Sequence, residues 1–111
     1  MSTKTFTPFC LCLVDYGKPG TAWEEANDGA TFESAVKRMI EGNLDGCQRA
    51  LMIYPDRAPE DVTQALADAV IEEERLTDDT LDFCENFGSA STQAIATREI
   101  RHRRDHDRHA A

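Results

Sequence analysis

No histidine occurs in the first 101 residues of this 111-residue chain. That absence takes the usual general base near neutral pH, and most nucleophile–base pairs, out of the body of the protein. The four cysteines, Cys10, Cys12, Cys47 and Cys84, show no CxxC spacing. Cys10 and Cys12 would share one face of a strand, badly placed to bond each other. All four read as buried thiols in a reducing compartment, and a four-thiolate zinc site would need the fold to gather three separate segments. Long apolar runs are also missing. The longest, Phe9–Val14, falls far short of the roughly 20 residues of a spanning helix. Met1–Lys4 ahead of Phe6–Val14 has the outline of an export leader. Pro8 interrupts it, Asp15 ends it, and no small-residue cleavage site follows. The expectation is a cytoplasmic protein with no membrane association and no cofactor.

Charge is abundant and unevenly divided. Of 21 acidic and 12 basic residues, the last fourteen positions hold five arginines, all three histidines and only Glu99, Asp105 and Asp107. The body is thus strongly anionic and the tail mildly cationic. Direct binding of DNA or RNA by such a body is disfavoured, because the phosphate backbone demands cations. A basic protein surface is the partner that suits it.

Apolar residues come in periodic blocks between turn signals, as in a single folded domain. Phe9–Tyr16 (FCLCLVDY) is apolar almost throughout, which suits a strand buried on both faces or nearly so. Gly17-Lys18-Pro19-Gly20 marks a turn; it lacks the spacing of a phosphate-binding loop, and its proline removes a backbone donor. Thr21–Ala26 reads as the returning arm of a hairpin, with a loop as the alternative. Thr31 is placed to cap a helix whose stripe is Phe32, Ala35, Val36, Met39 and Ile40, closed by Gly42. Gln48–Tyr54 reads as a second apolar strand. Pro59, Glu60 and Asp61 suit the first turn of a second helix running to about Leu76, with the stripe Val62, Ala65, Leu66, Ala69 and Val70. Residues 77–87 fit a third helix or a strand. The predicted fold is α+β or small α/β: a β(β)αβα two-layer sandwich with helices on one face of a small mixed sheet, plus a C-terminal helix or strand. The expected organisation is a globular domain over 1–88, a small polar linker over 89–97 and a basic His/Arg-rich tail over 98–111.

Three groups of residues compete for a function. Asp68, Glu72, Glu73, Glu74, Asp78 and Asp79 follow one another through and beyond the second helix. Their ordinary reading is a solvated face. Their functional reading is a docking surface for a basic partner, since such charge speeds encounter and sets specificity. Trp23, the only tryptophan, is either a core or edge anchor or the hot spot of that interface. At the hairpin, Asp15, Tyr16, Trp23 and Glu24 could converge as a small ligand-binding or enzymatic site, the alternative function. In the tail, His102, His106 and His109 would share a helix face and meet one metal ion, if the tail is not simply a frayed end, an Arg-rich contact or a segment folded back on the acidic body.

The segments FCLCLVDYG (9–17), GTAWEE (20–25), IEGN (40–43) and Asp61-Val62 resemble small accessory proteins from rhizobia-like bacteria, over roughly residues 9–72. The resemblance implies a small bacterial accessory protein and favours the hairpin arm; it carries no activity, and the basic tail lies outside it. In size and charge alone the chain is also similar to phage-borne inhibitors such as anti-CRISPR proteins. The leading expectation is therefore a non-enzymatic module that engages a basic surface, such as that of a nucleic-acid-handling complex. A structural homo-oligomeric subunit is the third reading, with a homodimer formed through an exposed sheet edge.

Overall fold

A computed structural model describes residues 8–25, 31–73 and 75–109, with side chains up to residue 106. The element order is β1 (Phe9–Asp15), β2 (Thr21–Glu25), α1 (Phe32–Ile40), β3 (Cys47–Ile53), β4 (Glu60–Asp61), α2 (Thr63–Val70), α3 (Asp78–Phe87) and α4 (Ala90–His109). The strands form one sheet in the order β2-β1-β3-β4, and the protein is a small α+β fold.

Every neighbouring pair in the sheet is antiparallel, so the expected mixed sheet is not what forms. The reason is the hairpin. β2 has already returned the chain alongside β1, so α1 carries it back and β3 enters antiparallel to β1. At the hairpin, the Asp15 carboxylate accepts the Gly17 N–H at 2.8 Å, and Tyr16 N–H donates to the Gly20 carbonyl at 2.9 Å. The same end of β1 meets a bulge on its β3 side, where the register with β3 shifts between Leu13 and Val14. Gly46 sits at that point with φ +84°, and a Cβ there would lie 2.6 Å from the Asp15 carbonyl oxygen. Only glycine fits both conditions.

The first helix forms as its pattern requires. Thr31 Oγ1 accepts the Ser34 N–H at 3.0 Å, Ala35 and Met39 are buried, and Gly42 takes φ +79° just beyond the end. Arg38 donates from one guanidinium nitrogen to the Glu25 carbonyl and from another to the Asn43 carbonyl, both at 3.2 Å, so it ties α1 to the edge strand.

The second helix is shorter than expected. Glu60 and Asp61, predicted in its first turn, instead pair with Met52 and Leu51 as β4. The Asp61 carboxylate accepts the Thr63 N–H at 2.9 Å and starts the helix there. Thr63 Oγ1 accepts the Ala50 N–H at 2.9 Å, taking over a position in the sheet ladder. α2 ends at Val70 rather than near Leu76. The residues that follow are Ile71 and then three glutamates, and negative charge opposes the negative end of the helix dipole.

Residues 77–87 are a helix. Thr77 Oγ1 accepts the Thr80 N–H at 3.1 Å, and Thr80 Oγ1 donates to the Met39 carbonyl at the end of α1. The expected linker and tail are one helix, α4. Its stripe is Thr92, Ala96, Ile100 and Arg103, spaced i, i+4, i+8, i+11. Thr92 and Ala96 are buried and Ile100 packs on the core. The residues that looked like a linker are small, so they let α4 lie close against α3. Gly88 allows the same approach, since a Cβ there would come within 2.4 Å of the Thr92 methyl.

The core lies between the sheet and the helices. Cys10, Cys12 and Val14 of β1 and Cys47 and Ala50 of β3 meet Ala35, Met39, Leu66, Ala67 and Val70. Leu81, Phe83 and Cys84 of α3 join the same cluster. Burial of this surface is the main stabilising term.

Candidate functional site

The acidic residues read as a docking surface divide into two kinds. Three are occupied within the fold. The Asp68 carboxylate accepts the Ser89 N–H at 2.9 Å and the Thr92 hydroxyl at 2.6 Å, which anchors the start of α4. These bonds hold its carboxyl below the ordinary carboxylate range. Asp78 pairs with Arg103 of α4 at 2.9 Å. Asp79 accepts the Gly46 N–H at 2.9 Å. All three were expected to face a partner; each also has a long-range partner within the fold, while Asp78 stays exposed and Asp79 still lines an open cleft. Glu72 and Glu73 are exposed after α2, and Glu74 lies outside the described residues.

A second group of carboxylates gathers where β1, β3 and α3 meet. Asp15, Asp79 and Asp82 line an open cleft of about 260 Å³ together with Gly46, Gln48 and Asn86. Asp45 stands beside it. Partial burial, and then the negative charge of Asp79, push its carboxyl above the ordinary range. Among the described residues, ion pairs engage only Asp61, Asp78 and Glu99. Most of the anionic exterior is therefore left uncompensated by the chain's own cations.

The hairpin residues come together only in part: Tyr16 meets Glu24, while Trp23 and Asp15 stand apart from that pair. In the β1–β2 register Trp23 stands opposite Leu13, and Glu24 opposite Cys12. Strand alternation sends these two side chains to opposite faces. Asp15 is held by Gly17 and by the Gln48 amide at 3.3 Å. Tyr16 is 48% exposed, and the Glu24 carboxylate beside its hydroxyl raises the phenol above its ordinary range. The tail histidines also fail to form a centre in the described part. His102 and His106 lie exposed one turn apart on α4, while the His109 side chain lies outside the described residues. Among the described residues no three His, Cys, Asp or Glu side chains are placed to hold a metal ion, and no helix is long and apolar enough to cross a membrane.

The cysteines are free and buried. Cys10, Cys12 and Cys47 form a short chain of thiols inside the core. Hydrogen bonding to Cys12, then burial, raises the Cys10 thiol; Cys84 is pushed up to about 11 by burial. For Cys12, the bond with Cys10 lowers the value, but the bond with Cys47 and burial outweigh it and push the thiol up to about 12. The bond from Cys12 lowers Cys47. Cys10, Cys12 and Cys84 have no exposed surface and serve as packing, while Cys47, also in the core, reaches the lining of the acidic cleft.

Two features escaped the sequence reading. The first is a groove of about 520 Å³ between α4 and the chain linking α2 to α3. Ile71, Leu76, Leu81 and Ile95 supply its apolar part, with Arg98 and His102 at the side. The second is the far face of the sheet. β1 was expected to be buried on both faces, yet Phe9, Leu11 and Leu13 are only half-buried while Cys10, Cys12 and Val14 are fully so. Trp23, next to Leu13 on that face, is 46% exposed on the edge strand β2, so of its ordinary reading, a core or edge anchor, the core half does not hold.

No protein-family model matches the chain, and neither a curated protein nor a solved structure is significantly similar to it.

Proposed function

We propose that this chain is a non-enzymatic, cytoplasmic protein-binding module that engages a basic surface on its partner. The observation that carries the reading is the uncompensated anionic exterior. Local desolvation, and then the negative charge of nearby Asp79, raise the Asp45 carboxyl above its ordinary range. A lysine or arginine delivered by a partner would relieve that repulsion. The cleft lined by Asp15, Asp79 and Asp82, with Glu72 and Glu73 elsewhere on the helical layer, is the region to which such cations are drawn. A partner that handles nucleic acid has a cationic face of this kind, and an anionic module would compete with phosphates for it. The resemblance to bacterial accessory proteins agrees with an auxiliary role.

Affinity purification of the tagged full chain at low salt tests the reading. A basic protein should be recovered, released as salt rises, and lost when Asp82, Glu72 and Glu73 are changed to lysine. Recovery of no basic protein, or retention that ignores both salt and the triple change, contradicts it.

A further inference from the structure

We propose that two copies of this chain associate by packing the outer faces of their sheets together, with Trp23, Leu13 and Leu51 at the centre of the contact. The register defines that face. Leu13 stands between Trp23 of β2 and Arg49 of β3; Leu11 stands between Glu25 and Leu51; Phe9 pairs with Ile53. Residues directly opposite across a ladder share a face, so Leu11, Leu13, Trp23, Leu51 and Ile53 form one contiguous apolar surface. All the fully buried sheet residues belong to the other face, where the helices lie. Among the described residues no element covers the outer one.

Its layout is that of an interface. The apolar residues occupy the middle. Thr21 and Glu25 stand at the β2 edge, and Arg49 and Asp61, paired at 3.2 Å, stand at the opposite edge. An apolar centre with a polar rim is the usual anatomy of a protein contact. Strand lengths and spacings make the three-strand patch about 23 Å by 14 Å, the scale of an interface's dry centre, with the rim supplying the rest.

Charge selects a second copy as the occupant. The acidic excess sits on the helical layer and its connections. On the outer face Arg49 is paired with Asp61, and the remaining carboxylates, Glu25 and, at the end of β1, Asp15, stand outside the apolar centre, so that centre offers little to a strongly basic protein. It is complementary to itself. A two-fold axis running along the strands lays β2 of one copy across β3 of the other. That brings the anionic edge with Glu25 toward Arg49 of the second copy, and the Trp23 ring over the same region, where a guanidinium is favoured. Sheets packed face to face in this way sit about 10 Å apart and form a dry layer between them. The contact uses a face distinct from the acidic cleft, so the basic partner and the second copy do not compete.

Sedimentation of the full chain over a concentration series tests the inference. The wild type should reach twice the chain mass, and Leu51→Glu should weaken the dimer by about a hundredfold or more while leaving circular dichroism unchanged. Leu51 lies on an inner strand, so a dimer formed by pairing the β2 edges would survive that change. Trp23→Ser removes the anchor from an already exposed position and serves if Leu51→Glu fails to fold. A wild type that stays monomeric throughout, or a dimer untouched by Leu51→Glu or Trp23→Ser, overturns the inference.

Discussion

The two faces of the sheet are made by the same strands and have opposite fates. On the inner face, cysteine, alanine and valine alternate along β1 and β3, small enough to let α1 and α2 approach closely. On the outer face β1 and β3 carry leucine and isoleucine and β2 adds Trp23, larger residues that no described element covers. The inner face is where folding energy is collected. Among the described residues the outer face is apolar surface without cover, and extended apolar patches of that kind mark contacts with other molecules.

The contrast is broken most sharply by truncating one residue from each side of it. Leu66→Ala removes a fully buried side chain of α2 and should cost about 2–5 kcal/mol in urea unfolding. Leu51→Glu on the outer face should change the stability of dilute protein by less than about 1 kcal/mol. Equal losses would mean that the outer face also holds the fold together. Next in size is Gly46→Ala, which sharpens the comparison at the end of the sheet. Its positive φ and the 2.6 Å approach to the Asp15 carbonyl should cost about 1–3 kcal/mol, seen as a lowered unfolding midpoint.

Asp68→Asn comes third, at about 1–2 kcal/mol, because the start of α4 loses its carboxylate cap. It also has a pH signature. The Asp68 and Asp61 carboxyls are held low in the folded state. Their contribution is therefore complete above the unfolded value of about 4 and disappears as pH falls through the folded values. Wild-type stability should drop below about pH 4, and Asp68→Asn should drop less steeply; parallel curves would show that Asp68 is not linked to folding. The smallest effect belongs to Arg103→Ala. Its bonds to Asp78 and Glu99 lie near the surface and should be worth no more than about 1 kcal/mol, diminishing with added salt. Thermal melts at low and high salt measure it.

Much of the fold is legible because its signals are local. The stripe and caps of α1 lie within twelve residues, and the apolar runs of β1 and β3 are bounded by turns. Three features are not local. Glu60 and Asp61 make a two-residue strand that no periodicity can announce. α4 has only Ala96 and Ile100 as apolar members of its stripe and is docked by polar bonds from Asp68, Asp78 and Glu85, so its residues read as linker and tail. The same long-range bonds explain why the contacts of Asp68, Asp78 and Asp79 within the fold were not read: a carboxylate's partner far along the chain leaves no mark on its own neighbourhood. The exposed sheet face did leave a mark, since FCLCLVD is apolar at both parities. That pattern asks for cover on both sides, and the helices supply only one.

Trp23 is the only tryptophan, and it stands on the sheet face that no described element covers, so its fluorescence reports on that face without a label. Emission recorded while the full chain is diluted from high to low micromolar concentration is the most direct measurement. A shift to the red on dilution, abolished in Leu51→Glu, is the expected result. Emission at the solvent-exposed wavelength that is the same at every concentration would contradict it.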